Sequence, residues 1–484
     1  MDRGKKNSSG SMFGRGLKLR INVLDAIFLV TLSLTVLGVN FYSIRPLSHM
    51  VFAFSVIYRC RYMSGFTFSA LNSRAVFIAW CLISYIWARY PNVVINYIPS
   101  VAQSIFLFPA VLLYIEKAPK RRLKMALLAF ILLSAILCLW VFLSNPPNVI
   151  MQSGRSARDR ITANGINPNQ ISVCCSYSVL LLVAYYREHP FRKLIWLCIP
   201  MVVVVILTGS KKGVFTLLIG LTLVALTIPN NTHRRLTLLI LPFALTIILL
   251  LINSRGGLVY RLLGRRIKGF IDYILSGEGD KSTNSRGYMI GLAWSLFRKH
   301  PLTGIGLHNF KQVNIYGVYA HNNYMELLAC LGLPGFVLYY WSFIGYIKRA
   351  VKEISHGLRK IGVEHVLILC IMLNEYATVS YTNEVFQMVM GLAVGFRFID
   401  NSGLLSEDID SDIKQAEMEA SVQFPNHYLV LWKQMEMIIK GSVKRILDYM
   451  KHLNGEDNNE KECSDCACSK HDDFFGFCDK HFCR

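Results

Sequence analysis

Charge is scarce in this sequence, and negative charge scarcer still: 17% of its 484 residues are charged, with 30 acids against 52 Lys and Arg. A soluble chain of this size would split into roughly two to four domains and cover them with polar surface. No DNA- or RNA-binding motif accompanies the net charge of +22, so membrane phosphates replace nucleic acid as the expected partner. A cleavable signal peptide is missing too, because no small-residue cleavage site follows the apolar run at Leu24. Nor is there a nucleotide-binding glycine motif. Gly304-x-Gly306 lacks a third glycine and a preceding strand.

What the chain does have is hydrophobic length. Hydrophobic residues make up 53% of it, and apolar runs of roughly 13 to 25 residues recur from Leu24 to Ile399, most near the length that crosses a bilayer. The pattern predicts an all-α polytopic membrane protein with about twelve transmembrane helices. They fall near 24–42, 46–58, 75–88, 98–115, 123–143, 169–186, 194–208, 213–229, 236–252, 323–347, 362–381 and 384–399. A basic N-terminus (1–23) precedes this body (24–400), and a tail (401–484) follows it. Basic residues in short loops mark the cytoplasmic side. Arg3, Lys5, Lys6, Arg15, Lys18 and Arg20 place the N-terminus there. Alternation then makes 59–74, 116–122, 187–193, 230–235 and 348–361 inner loops, and all are basic. Arg74 is counted among them. Both termini are therefore expected in the cytoplasm.

Two long outer loops, 144–168 and 253–322, break that bias. The second carries ten Lys and Arg against Asp272, Glu278 and Asp280. The first carries Arg155, Arg158 and Arg160 with Asp159. Either these cations meet lipid headgroups, or they hold an anion, with a lipid-linked diphosphate the leading candidate. Headgroup contact suits Arg261, Arg265, Arg266 and Lys268, which alternate with Leu258, Leu262, Ile267, Phe270, Ile271 and Ile274 as in an interfacial amphipathic helix. The basicity belongs to the membrane body: residues 1–400 hold 42 basic and 14 acidic residues, residues 401–484 hold 10 and 16.

Within the second loop, a helix over about 285–298 ends at Pro301, and Gly304 and Gly306 permit a tight turn. The ordered set is Arg286, Trp294, Pro301-Leu302-Thr303-Gly304-Ile305-Gly306, His321-Asn322-x-x-x-Glu326 and Gly332-x-x-Gly335. It resembles the O-antigen ligase and O-antigen polymerase family of bacterial membrane glycosyltransferases. Arg160-Ile161-Thr162 with Asn167-Pro168-Asn169, and Thr208-Gly209-Ser210-Lys211, resemble two further family segments, the last with Lys where Arg is usual. The resemblance covers roughly residues 150–400. It implies a C-type glycosyltransferase-like helical fold and a donor glycan on undecaprenyl diphosphate at the outer face of the inner membrane. It also implies a glycan or lipid A-core acceptor, and neither cofactor nor metal ion.

The residue chemistry suits that transfer. An attacking hydroxyl needs a base, and a neutral imidazole serves near pH 7, which makes His321 the candidate. Its alternative role is an interfacial histidine bonded to backbone. Arginine forks stabilise a departing diphosphate. Arg286 and Arg160 are the candidates, expected to converge on one outer cavity, or else each meets a headgroup or a loop carboxylate. Arg158, Asn322, Glu326, Gly304, Gly306 and Lys211 are candidate substrate contacts. Glu326, Glu375 and Glu384 serve the substrate or form structural pairs, and His300 and His308 read as solvated. A transporter or flippase for a lipid-linked anion is the rival function. It calls for internal repeats and charge at mid-membrane, and the sequence has no obvious repeat. A membrane scaffold, needing no His321, is the third reading.

The tail differs from the body. An acidic linker, Glu407 to Asp412, precedes an amphipathic stretch over Phe424–Leu453. The end, with Cys463, Cys466, Cys468, His471, Cys478, His481 and Cys483, reads either as a zinc site or as an unstructured tip. No clean four-ligand spacing decides for the metal. The other eight cysteines read as packing residues.

Overall fold

A computed structural model describes residues 21–38, 44–59, 63–154, 160–163, 165–185, 190–227, 254, 257–356 and 361–399. The basic N-terminus, Arg158, the predicted span at 236–252, the acidic linker, the amphipathic stretch and the whole Cys/His-rich end lie outside the described residues.

Every regular element among the described residues is helical. In chain order the main helices are α1 (Val23–Leu37), α2 (Ile44–Arg59), α3 (Gly65–Ile83), α4 (Pro91–Glu116), α5 (Pro119–Ser144), α6 (Pro168–Ala184), α7 (Cys198–Leu207), α8 (Lys211–Thr227), α9 (Arg265–Ser276), α10 (Lys281–Lys299), α11 (Asn323–Ser355), α12 (Val363–Glu375) and α13 (Glu384–Gly395). Their starts are written locally. Proline opens α4, α5 and α6 at a position where a missing N–H costs nothing. Asn167, Asp280, Asn322 and Asn383 cap α6, α10, α11 and α13 through side-chain oxygens. Four segments, Gly65–Ile86, Pro91–Glu116, Pro119–Ser144 and Asn323–Ser355, are long and apolar enough to cross a membrane. This is a multi-pass membrane protein, although the described helices do not reach the expected dozen full-length spans.

Contacts across the chain tie the loops together. Arg45 pairs with Glu384 at 3.5 Å, Arg89 N donates to Ile305 O, and Asn145 donates to Thr162 O. Asp25 pairs with Arg121 and Arg122, Glu116 accepts from Ser64 and Thr67, and Arg397 pairs with Glu353. One boundary is corrected. The segment 59–74 is not all loop: α3 begins at Gly65, and Arg74 is fully buried within it. Arg74 donates to Tyr339 O at 2.7 Å and lies over the rings of Phe108, Tyr339 and Phe343. Such cation–π contacts let a cation occupy an apolar interior, so this arginine carries no information about sidedness.

Helix α11 holds the central device. Gly332 adopts φ 67° and ψ −172°, with Pro334 just beyond it, so the helix breaks there. The break frees backbone groups that must find partners. The Pro301–Gly306 segment supplies them: Ile305 N donates to Ala329 O, Gly306 N to Cys330 O, and Leu333 N to Pro301 O, at 2.8–3.0 Å. Trp80 Nε1 takes Leu331 O at 2.9 Å. Irregular backbone inside an apolar helix is tolerated because protein surrounds it.

Candidate active site

His321 immediately precedes the cap of α11. Its φ is +54°, a left-handed conformation that costs a residue with a Cβ about 1–2 kcal/mol. Two fixtures hold it there. Asn322 Oδ1 accepts from Met325 N at 3.1 Å, and Glu326 Oε2 accepts from Ala320 N at 2.7 Å. Strain kept in place this way is a mark of functional sites. The imidazole lies 4.3 Å from the Tyr319 ring, and among the described residues nothing hydrogen-bonds to it. Burial, with the charges of Arg286 and Lys212, pulls its pKa down to about 4. His321 is therefore neutral, with a nitrogen lone pair available.

Cations converge beside it. Arg286, one turn into α10, is half-buried, and among the described residues no hydrogen bond or ion pair engages it. Burial lowers its pKa, against the opposing influence of Tyr319 and Asp280. Arg160 donates through Nε to Thr208 O at 2.9 Å and through Nη2 to Asn169 Oδ1 at 3.0 Å. Ser210 donates to that same Asn169 oxygen. The three upstream segments, Arg160-Ile161-Thr162, Asn167-Pro168-Asn169 and Thr208-Gly209-Ser210, thus form one hydrogen-bonded cluster. Burial, then the charges of Arg266 and Arg286, bring the Arg160 guanidinium down to about 10. Such mutual depression means that these positive groups share a region with too few counter-charges.

Arg266 and Lys211 have a shared carboxylate. Lys211 donates to Thr283 Oγ1 at 3.0 Å and stands 3.9 Å from Asp280. Burial would raise the Asp280 carboxyl, but Thr283, Lys211 and Arg266 together hold it below its usual range. Gly209 has φ +58°, and a side chain there would collide with the Leu262 carbonyl. That close approach brings the Thr208–Lys211 turn against the segment leading into α9, and so against Arg266. Helices α6, α8, α10 and α11 all begin here, adding the positive ends of their dipoles.

Several expected contacts have other roles. Glu326 is fully buried, its carboxylate taken by Ala320 N and Cys330 Sγ, so it acts on the site through the backbone before His321. Asn322 is a buried cap. Gly304 and Gly306, at φ +65° and +100°, pack against Cys330 and Ala88 and serve the lacing of α11. Glu384 pairs with Arg45, and Glu375 accepts from Tyr340 and Ser380. His308 is not solvated: it is buried and stacks on Tyr97 with ring centres 3.8 Å apart. Arg261 and Arg265 reach the backbone of 151–154 instead of pointing only to headgroups. Ile271, Ile274 and Leu275 do leave an exposed apolar stripe on α9. Sequence reasoning missed Lys212 and Tyr319. The signal for Lys212 was present, since two lysines in a short turn that the loop alternation expects outside oppose the charge bias. Among the described residues no group of side chains is arranged to hold a metal ion.

Residues 196–340 match the family model described as O-antigen ligase. No curated protein matches the chain.

Proposed function

We propose that this chain, whose residues 196–340 match the family model described as O-antigen ligase, transfers a glycan from undecaprenyl diphosphate to an acceptor sugar hydroxyl at the outer face of the cytoplasmic membrane. The observation that carries this reading is the pairing of an uncommitted neutral imidazole, His321, with the Arg286 and Arg160 cations in one half-buried region. The acceptor oxygen attacks the anomeric carbon while His321 takes its proton. The bond from that carbon to the phosphate oxygen breaks, and the diphosphate leaves with the electron pair. Charge grows on the leaving group, so guanidiniums fixed beforehand favour the transition state over the ground state. No step needs a metal or a nucleotide sugar. The basic inner loops support placing the site outside and both termini in the cytoplasm.

The transport alternative calls for charge along a path at mid-membrane. Arg74 is a deep cation, but it is sealed among rings. The test is reconstitution: purified protein in liposomes, a lipid-linked glycan donor and an acceptor, with transfer read as a gel shift. Transfer lost in His321→Ala at equal protein level supports the reading, and transfer by that variant at the wild-type rate overturns it. Deleting the gene then separates two members of the class. Accumulated lipid-linked polymer indicates a ligase; single repeats on the surface indicate a polymerase.

A further inference from the structure

Lys211 and Lys212 open the same helix, yet their charges are committed differently. Lys211 is answered by α10 through Thr283 and Asp280. Lys212 donates to the hydroxyl of Thr378, and among the described residues no carboxylate pairs with it. A hydroxyl satisfies one ammonium proton but leaves the charge uncompensated. That charge acts on Arg286, Arg160 and His321, the groups assigned to the donor and to the attacking hydroxyl. Neighbouring residues of a helix point about 100° apart. Lys211 has Arg286 and Arg266 near it but is answered by Asp280, whereas Lys212 has Arg286 and Arg160 near it and no such answer. Burial, then Arg286 and Arg160, draw its ammonium down to about 7. A half-buried lysine with a neutral partner and cationic neighbours lacks an anion.

We propose that Lys212, and not Lys211, is the cation of this turn that binds the departing diphosphate, exchanging its Thr378 bond for a phosphate oxygen when the donor arrives. The proposal rests on the diphosphate reading above and moves the turn's ligand one residue beyond the position where the family resemblance puts an arginine.

Inorganic pyrophosphate is the probe, and the full-length protein in detergent is the sample. Its thermal unfolding is followed against pyrophosphate concentration at constant ionic strength. A ligand that binds only the folded protein raises the midpoint in a saturable way. Wild type should respond, Lys212→Met should need at least about tenfold more pyrophosphate, and Lys212→Arg should recover most of the loss. Lys211→Met should lose less than Lys212→Met. Thr378→Val provides an independent check, because it frees Lys212 without removing charge and should bind pyrophosphate as tightly as wild type or tighter. A larger loss at Lys211 than at Lys212, or a tenfold loss in Thr378→Val, overturns the assignment while wild-type binding keeps the diphosphate reading intact. A wild type indifferent to pyrophosphate overturns both.

Discussion

Replacing His321 by alanine removes the group assigned to accept the proton, and the structure sets both the size and the pH signature of the loss. Losing a general base typically costs on the order of 10²–10⁴ in rate, or about 3–5.5 kcal/mol of barrier. With a pKa of about 4, burial and the neighbouring cations keep the imidazole neutral in the free protein at pH 7. Only the neutral form accepts a proton, so the acid limb of kcat/KM that His321 sets should appear only as pH drops through about 4. The bound donor alters this. One phosphate charge about 6 Å from the ring, at an effective dielectric of about 20, favours the imidazolium by about 2.8 kcal/mol, or about two pK units. An anion raises a histidine pKa, so the acid limb of kcat should lie near pH 6, above that of kcat/KM. Initial rates of glycan transfer in liposomes, measured from about pH 3 to 8 to bracket the expected limbs at saturating and limiting donor, resolve the two limbs. His321→Ala should lose both limbs along with most of the rate. A kcat limb at or below the kcat/KM limb refutes the placement of the diphosphate beside His321. A variant retaining more than about a tenth of the rate, above the loss expected for a general base, refutes the base.

Other outcomes follow from the same geometry. Arg286→Lys and Arg160→Lys should each weaken pyrophosphate protection and transfer despite the conserved charge, because lysine lacks the planar fork; unchanged binding in both would argue for a point-charge site. Gly304→Ala must place a Cβ onto the Cys330 backbone from φ +65°, so little monodisperse protein should be recovered. Gly317→Ala, at φ +63° in open space, should cost only about 1–2 kcal/mol, and equal behaviour of the two would discredit the lacing of α11. Glu326→Ala leaves Ala320 N–H buried without its acceptor, at about 1–3 kcal/mol, and should lower kcat. Glu326→Gln keeps an acceptor oxygen and should be milder. An impermeant thiol reagent applied outside should label a cysteine placed at Ser282 and spare one at Ser355; the reverse pattern inverts the orientation.

The sequence exposed the outline of this molecule and concealed its phase. Apolar runs located the helices because bilayer thickness sets a length that composition can satisfy locally. The loop alternation was read from charge bias, which accumulates over many residues. Arg74 misled for the same reason: a window that counts charge cannot see three rings supplied by α4 and α11, so α3 was begun about ten residues late. Pro301–Gly306 read as a turn with a ligand-binding glycine pair, since its real partners, Ala329 and Cys330, offer their carbonyls only because Gly332 breaks the helix above them. His321 stood out as a candidate from its type and its place before a capping asparagine, but not its depressed pKa, which needs burial and the charges of Arg286 and Lys212 brought from distant segments. The choice between Lys211 and Lys212 lay furthest out of reach. Composition treats the two as equal, and a helix separates them by about 100°. Which of them meets Asp280 is decided by how the turn at Gly209 seats against Leu262 and by where α10 is capped, two contacts made more than fifty residues away in the chain. The lysine left over inherits the site.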